Sequence, residues 1–269
     1  MSDSNQTDSN QTESTEDVLL SIEGGIAEVT FNRPQSRNAF TFAMYNRIAE
    51  IAEEVNASKS IRAVVVTGAG DKAFAAGTDM SEFRGFSSAD DALGYERQTD
   101  RVLDIYERIE VPTIAAIRGA CTGGGAAIAA ASDLRICDTA LKFGIPIART
   151  LGNCLSTTNL ARLSALIGAA RTREILLTAR LIQAEEALSI GLVNEVCDDP
   201  LQRARELASQ LSGHAPLTMQ ATKEGLRRLR EHAQQADGDD LVVMCYTSED
   251  FHEGMEAFLG KRKPEWRGS

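Results

Sequence analysis

Two glycine-containing stretches are the first candidates for chemistry, FAAGTD at 74–79 and TGGGA at 122–126. Each is expected to end a loop at the start of a helix, where the first backbone N–H groups have no intrahelical partner. Small residues let a ligand approach the backbone closely. Two such helix starts, each offering one N–H, would hold one carbonyl oxygen between them and stabilise negative charge on it. Because no charged residue follows TGGGA until Asp133, this chemistry would depend on the backbone alone.

Alternating strands and helices must position these stretches. The alternating segments VLLSI and GIAEVTF (18–22 and 25–31) predict a hairpin around Glu23–Gly25. Continuous apolar runs predict buried strands at 62–68 and 113–119, with a third at 134–138. Loops are expected at 69–77 and before TGGGA. This order predicts an α/β fold with right-handed crossovers.

Helical patterns fill most of the remaining chain. Thr41 is expected to cap a helix that ends near Asn56 and has its apolar residues on one face. A short helix is expected near Asp79 and a longer one over 89–110. From about 158 the chain is predicted to be mostly helical, with a short strand at 192–197 and breaks at Pro216 and Gly238.

Composition and charge exclude several classes of protein. The acidic, repetitive segment 1–17 is predicted to be a disordered tail, followed by a core over 18–200 and a helical region over 201–269. A net charge of −11 argues against a nucleic-acid binder. No apolar run is long enough to predict a membrane span. Five widely spaced cysteines without a CxxC pair favour a reducing cytoplasm and give no support to a metal site.

A dinucleotide-binding interpretation of VVVTGAG at 64–70 is weak. The loop GAGDKAFAAG lacks the GxGxxG spacing. The Tyr and Lys pair of short-chain dehydrogenases is missing, because none of the four tyrosines has a lysine four residues later.

Six blocks of sequence together resemble the crotonase (enoyl-CoA hydratase/isomerase) superfamily over about 18–267. The blocks are FNRPQSRNAF, DKAFAAGTDM, GACTGGGAAIAAASDLRIC, FGIP, ARLIQAEEALSIGLVNEV and EGMEAFLGKRKPEW. The resemblance implies a spiral of ββα turns with a helical C-terminal trimerisation region. It also implies an acyl-CoA thioester as the ligand, no tightly bound cofactor, and a homotrimer or a dimer of trimers.

Specific residues follow from this resemblance. It implies that the N–H groups of Thr78 and Gly124 form the oxyanion hole. Residues expected to contact coenzyme A are Asn38, Ala39, Lys72, Phe74, Ala76, Phe258 and Lys261. The basic segment KRKPEWR at 261–267 fits a phosphate-rich ligand, and a solvated terminal charge run is the alternative.

The chain departs from the hydratases of this superfamily at both catalytic glutamates. The resemblance places these glutamates at Ala127 and Ile147, where neither side chain can transfer a proton. Positioned acid–base groups contribute strongly to rate. Simple hydration of an enoyl-CoA is therefore not expected, whereas a backbone oxyanion hole would be unaffected.

Other polar residues are candidates to replace the glutamates. Glu82 follows the first backbone donor by one helical turn, and the alternative is that it lies on a solvated helix face. Glu96 and Asp91 on the next helix are weaker candidates. In IARTLGNCLST (147–157), Arg149 is a candidate to bind an acyl carboxylate, and Asn153 to donate to an enolate. Cys154 fits a small buried hydrophobe better than a nucleophile, because no histidine is near it in sequence.

The sequence supports two functional hypotheses. The first is an acyl-CoA enzyme that stabilises a thioester enolate, with isomerase, lyase, decarboxylase or hydrolase chemistry open. The second is a non-catalytic binder of CoA thioesters. Polar side chains of 147–157 that line the acyl pocket would favour the enzyme.

Overall fold

A computed structural model describes residues 16–232 and 238–267 of the chain. Most of the predicted acidic tail, residues 1–15, lies outside the described residues. Glu16 and Asp17 are described, and the Asp17 carboxylate forms an ion pair with Arg33 at 3.6 Å. In the described part of the chain, no helix combines the length and hydrophobicity that crossing a membrane requires.

The described residues form ten strands, eleven α-helices and two short 3-10 helices. The strands are β1 Val18–Glu23, β2 Ile26–Phe31, β3 Ala63–Gly68, β4 Ala73–Ala76, β5 Thr113–Ile117, β6 Ala120–Thr122, β7 Leu134–Cys137, β8 Lys142–Gly144, β9 Ile182–Gln183 and β10 Glu195–Val196. The α-helices are α1 Phe42–Ala57, α2 Ala89–Glu107, α3 Gly124–Ala131, α4 Ile147–Thr150, α5 Thr157–Ile167, α6 Ala169–Thr178, α7 Ala184–Ser189, α8 Pro200–Ser212, α9 Pro216–His232, α10 Asp239–Tyr246 and α11 Glu249–Leu259. The 3-10 helices are Pro34–Ser36 and Met80–Gly85.

A six-stranded sheet carries the core in the order β1-β2-β3-β5-β7-β10. Only β1 is antiparallel to its neighbour, since a tight turn joins it to β2. Gly24 and Gly25 form this turn with positive φ, within the predicted Glu23–Gly25 segment, while Glu23 itself belongs to β1. The strands β3 and β5 are parallel and almost fully buried, as their continuous apolar runs predict. Helix α8 covers one face, and α1, α2 and α3 contribute to the apolar cluster on the other.

A second, four-stranded sheet is ordered β4-β6-β8-β9. Each of the first three strands follows a strand of the larger sheet and precedes helical structure, so the ββα order implied by the resemblance is confirmed. The prediction of loops at 69–77 and before TGGGA is wrong, because β4 and β6 occupy parts of them. Such short segments pair through long-range contacts that local sequence does not encode.

Two helix starts near the small sheet are capped by their own sequence. The Thr41 hydroxyl accepts from the Met44 N–H, which confirms the predicted start of α1. Helix α2 begins with a capping box between Ser88 and Asp91. Helix α2 then packs against α1, α3 and α10.

The C-terminal region is helical over α8–α11, as predicted. Helices α10 and α11 return to the body of the protein and pack on Phe83, Leu151 and the start of α2 in a separate apolar cluster. They thereby bring side chains from residues after 238 to the segment 147–157, which contains the candidate residues Arg149 and Asn153.

Candidate active site

The two candidate backbone donors lie beside each other where β4 and β6 end. Phe40 donates its N–H to the Gly77 carbonyl, and its own carbonyl accepts from the Asp79 N–H. These two hydrogen bonds flank Thr78 and do not use the Thr78 N–H. Gly124 is the first residue of α3. Within 16–232 and 238–267, neither the Thr78 N–H nor the Gly124 N–H has a hydrogen-bond acceptor. The structure therefore brings together two unpaired donors.

Glycine is required here by close approach of the two loops. Gly123 has a φ of 54°, and a Cβ on it would lie 3.0 Å from the Gly77 Cα. A Cβ on Gly124 would lie 2.2 Å from the Tyr45 hydroxyl oxygen. Any side chain at these positions would separate the donors or displace the tyrosine.

A cavity of about 200 Å³ opens beside these donors. Ala127 and Ile147, the two positions of the hydratase glutamates, both line it. Most of its surface is apolar. Its polar side chains are Tyr45, Thr78, Tyr95, Glu96, Thr99, Thr122, Thr150, Asn153 and Asn159, and none of the described residues that line it is cationic.

Two tyrosines hold the side chain of Thr78. Its Oγ1 lies 2.9 Å from the Tyr45 hydroxyl and 2.8 Å from the Tyr95 hydroxyl. Burial raises the pKa of Tyr45 to about 12, so that this hydroxyl remains protonated. The hydrogen bonds fix the backbone that carries the Thr78 N–H. Neither tyrosine was predicted, because nothing in a single sequence identifies them.

One carboxyl group lines the cavity, and it belongs to Glu96. The Tyr246 hydroxyl donates to its Oε1 at 2.6 Å, and the Asn153 Nδ2 donates to the Tyr246 oxygen at 2.9 Å. Burial raises the pKa of Glu96 to about 7, and Asp100 adds to the shift, while hydrogen bonds from Tyr246 and the Ser156 backbone oppose it. A carboxyl group with this pKa can both accept and donate a proton near neutral pH.

A helical pattern in the sequence could have identified Glu96. The buried residues of α2 include Ala92, Glu96, Thr99, Leu103 and Tyr106, which repeat every three or four residues. Glu96 is therefore an acid on an otherwise core-facing stripe. Acidic side chains are seldom fully buried unless they are paired or functional.

Asn153 contributes a second unusual feature. Its Oδ1 is buried and has no hydrogen-bond partner within the described residues. The amide orientation follows from Tyr246, whose single proton goes to Glu96, so that Asn153 must donate to the tyrosine. The Asn153 oxygen is therefore a buried acceptor without a partner among the described residues.

The raised pKa of Glu96 should make folding stability depend on pH. The ordinary pKa of a glutamate is 4.5, and the pKa of Glu96 in the folded protein is about 7. Protonation of Glu96 therefore stabilises the folded state fully below pH 4.5, and this stabilisation is lost as the pH rises through about 7. The loss is about 3 kcal/mol at 1.36 kcal/mol per pKa unit. Glu96→Gln, which cannot ionise, should lose less unfolding free energy than the wild type between about pH 5 and about pH 8.

Urea unfolding of both proteins at one fixed protein concentration measures this difference. A gap in unfolding free energy between variant and wild type that stays constant with pH would contradict the assignment, because other titrating groups are common to both proteins.

Several predicted catalytic residues lie elsewhere. Glu82 and Arg149 do not line the cavity, and Arg149 is exposed. Asp91 is engaged in the capping box of α2. Cys154 lies with its Sγ 3.5 Å from the Leu241 carbonyl oxygen. Of the candidates in 147–157, the structure therefore brings Asn153 to the cavity but not Arg149.

The residues expected to contact coenzyme A fall into three groups. Ala76 and Phe258 line the cavity. Lys72 and Lys261 are exposed, and Ala39 is half-buried. Asn38 and Phe74 are fully buried, and their side chains contact the protein itself.

The buried pair offers a ligand only backbone atoms. The Asn38 amide donates to the Ala69 and Ala73 carbonyls and accepts from the Arg33 N–H. The Phe74 ring packs edge-on against Phe31 at 5.3 Å between centroids. These contacts hold the loop that leads into β4.

Comparison with known proteins places this site in a family. The sequence profile described as enoyl-CoA hydratase/isomerase matches residues 21–269. The chain belongs to the enoyl-CoA hydratase/isomerase family. It is 33% identical to the short-chain-enoyl-CoA hydratase of Clostridium acetobutylicum, over 92% of this chain and 96% of that protein. It is 35% identical to the (E)-benzylidenesuccinyl-CoA hydratase of Thauera aromatica, over 94% and 99%.

The fold of this family member is also similar to solved structures. A structure of methylmalonyl-CoA decarboxylase in complex with 2-nitronate-propionyl-CoA superposes with a TM-score of 0.85 at 27% identity, covering 94% of this chain and 99% of that chain. The chain is thus an acyl-CoA-processing member of the family with the crotonase fold.

Proposed function

We propose that this protein is an acyl-CoA double-bond isomerase that uses Glu96 as its one acid–base group. The observation that carries the proposal is the position of Glu96, a buried carboxyl with a pKa of about 7, in a cavity whose two hydratase positions are Ala127 and Ile147. Moving a double bond requires removal and return of one proton, which a single carboxyl can perform.

The reaction begins with a 3-enoyl thioester whose carbonyl oxygen accepts from the N–H groups of Thr78 and Gly124. The Glu96 carboxylate removes a proton from the α carbon, and the electron pair moves onto the thioester oxygen as an enolate. The two N–H groups stabilise this charge. Glu96 then returns the proton to the γ carbon, and the double bond becomes conjugated with the thioester.

The chain from Asn153 through Tyr246 supports this role of Glu96. Tyr246 donates a hydrogen bond to one oxygen of the Glu96 carboxylate, and this bond fixes the orientation of the carboxyl group. Because this hydroxyl donates to Glu96, it stabilises the ionised form that acts as the base.

Hydration needs a second group to activate water, and we expect little of it. Each positioned acid–base group contributes about 10²–10⁴ in rate. Crotonyl-CoA hydration by this protein should therefore be at least about 10²-fold slower than by the short-chain-enoyl-CoA hydratase of Clostridium acetobutylicum, assayed side by side. Equal rates would mean that another group supplies the second proton transfer.

Decarboxylation is the second candidate function. The similarity to methylmalonyl-CoA decarboxylase at a TM-score of 0.85 favours it, since an enolate-stabilising pair of N–H groups is the main requirement for losing CO2 from a malonyl-type thioester. Against it, no cationic residue lines the cavity within the described part of the chain. A substrate carboxylate would therefore have no positive partner there, and the ionised Glu96 would repel it.

The deciding experiment offers the enzyme 3-enoyl-CoA and malonyl-type thioesters in D2O. The isomerase produces the absorbance of a conjugated 2-enoyl thioester, and deuterium enters the γ carbon to the extent that the Glu96 carboxyl exchanges its proton with the solvent before returning it. Release of CO2 without isomerisation would assign a decarboxylase. Binding of every thioester without turnover would assign a non-catalytic binder.

A homo-oligomer with coenzyme A bound near the C-terminus is part of the proposal. Leu217, Leu226 and Leu229 on α9 are 76%, 65% and 71% exposed in the single chain, which is unusual for leucines on one helix. Phe258 lines the cavity and is 55% exposed. Light scattering during size exclusion is expected to give a trimer or a multiple of it.

A further inference from the structure

Two thiols from distant parts of the sequence meet next to the active site. Cys154 follows α4, and Cys245 lies on α10. The Cys154 side chain reaches the turn of α10 that leads to Cys245. Its Sγ lies 3.5 Å from the carbonyl oxygen of Leu241, one helical turn before Cys245.

The residues beside the thiols are also paired. Asn153 donates to Tyr246 at 2.9 Å, so consecutive residues of one segment contact consecutive residues of the other. Both thiols are half-buried, which leaves them accessible to a small reagent. The neighbouring Cys154 thiol lowers the pKa of the Cys245 thiol, which favours its reactive thiolate form.

The other three cysteines have different surroundings. Cys121 and Cys137 are buried in the core, and burial raises the pKa of both thiols. Cys197 is half-buried, and burial and nearby acids raise its pKa as well. They serve as internal controls for reactivity.

We propose that Cys154 and Cys245 form a modification site that a hydroperoxide converts into a disulfide. The Cys245 thiolate attacks the outer oxygen of the peroxide, the O–O bond breaks, and the alcohol or water leaves after taking up a proton. Cys245 is then a sulfenic acid. The Cys154 thiol attacks its sulfur, the S–O bond breaks, and water leaves as the disulfide forms.

The disulfide would alter the site that Glu96 occupies. A bond between the sulfurs draws 147–157 towards α10 and changes the distance between Asn153 and Tyr246, the residue that donates to Glu96. The effect on turnover rests on the proposed function, whereas disulfide formation does not.

Trp266 reports on this segment without any substrate. It is the single tryptophan of the chain, and a Cβ built on Gly152 would lie 3.3 Å from its Cζ3. Movement of the segment that holds Gly152 and Cys154 should change the fluorescence of this ring.

The test treats the full-length protein with hydrogen peroxide, alkylates the remaining thiols and maps the peptides without reduction. We expect a peptide linking Cys154 to Cys245, loss of those two thiols, and a shift of Trp266 fluorescence, all reversed by dithiothreitol. Cys154→Ser should stop at a Cys245 sulfenic acid, trapped by dimedone, and show no reversible fluorescence shift. Cys197→Ser should behave as the wild type.

The proposal fails if Cys154 and Cys245 both stay reduced under conditions in which the peroxide has been consumed. It also fails if both stay reduced when the methionines of the protein are already extensively oxidised. It fails equally if other cysteine pairs are linked, or if Cys154→Ser shows the same fluorescence shift. With the substrate from the isomerase assay, turnover should be lost on oxidation and recovered on reduction. A linked peptide without any isomerase activity would reject the proposed function and leave the modification site standing.

Discussion

Glu96→Gln is expected to lower isomerase turnover by about 10²–10⁴-fold, because it removes the proton-transfer group and keeps the shape of the side chain. Binding of the thioester should be retained, since the backbone donors remain. In the wild type, kcat/KM should rise with pH through about 7, the pKa of this carboxyl group, because the base must be ionised. The variant should lose this dependence.

The matched control is Glu53→Gln. Glu53 lies on the exposed face of α1, and its substitution removes the same charge without touching the cavity. Steady-state kinetics of the three proteins across pH provide the comparison. Full isomerase activity of Glu96→Gln would exclude Glu96 as the base, and unimpaired CO2 release by the variant would favour the decarboxylase.

Gly124→Pro is expected to reduce turnover by about 10²–10³-fold, the loss that follows removal of one oxyanion donor. Proline has no N–H, but it also introduces a Cβ that would lie 2.2 Å from the Tyr45 hydroxyl oxygen. The substitution is therefore best made together with Tyr45→Phe, which removes that oxygen.

Gly124→Ala in the same Tyr45→Phe background is the matched control, because it adds the Cβ and keeps the N–H. The ratio of kcat values between the two double variants isolates the donor. Thermal melts establish that both are folded. If the proline and alanine variants turn over the substrate at the same rate, the Gly124 N–H does not stabilise the transition state.

Local sequence signals were sufficient for the main framework of the fold. The apolar runs of β3 and β5, the Thr41 cap and the turn at Gly24–Gly25 each depend on neighbouring residues, and each is confirmed. The strands β4 and β6 were missed because only pairing with each other defines them. The ββα order followed from the motif blocks rather than from any one pattern.

In the candidate site too, features that depend on neighbouring residues were predicted, and features that depend on long-range packing were missed. The two glycine-containing stretches were singled out because a loop that ends at a helix start leaves N–H groups free, and the resemblance to the superfamily then assigned Thr78 and Gly124 as the donors. The partners of Glu96 were missed, since Tyr246 is 150 residues away from it in sequence and joins it only through the packing of α10. Glu82 was favoured over Glu96 by nearness in sequence to Thr78, a criterion that the buried stripe of α2 overrides.

The hydroxyl groups of Tyr45, Thr78 and Tyr95 form a chain in which either end can be the donor. Its direction can therefore reverse by rotation of three O–H bonds, without movement of any carbon, nitrogen or oxygen atom. Both tyrosines line the cavity. The same two tyrosines can thus present a hydrogen-bond donor to one acyl group and an acceptor to another. The cavity would then accept acyl groups of either hydrogen-bonding character without changing its shape.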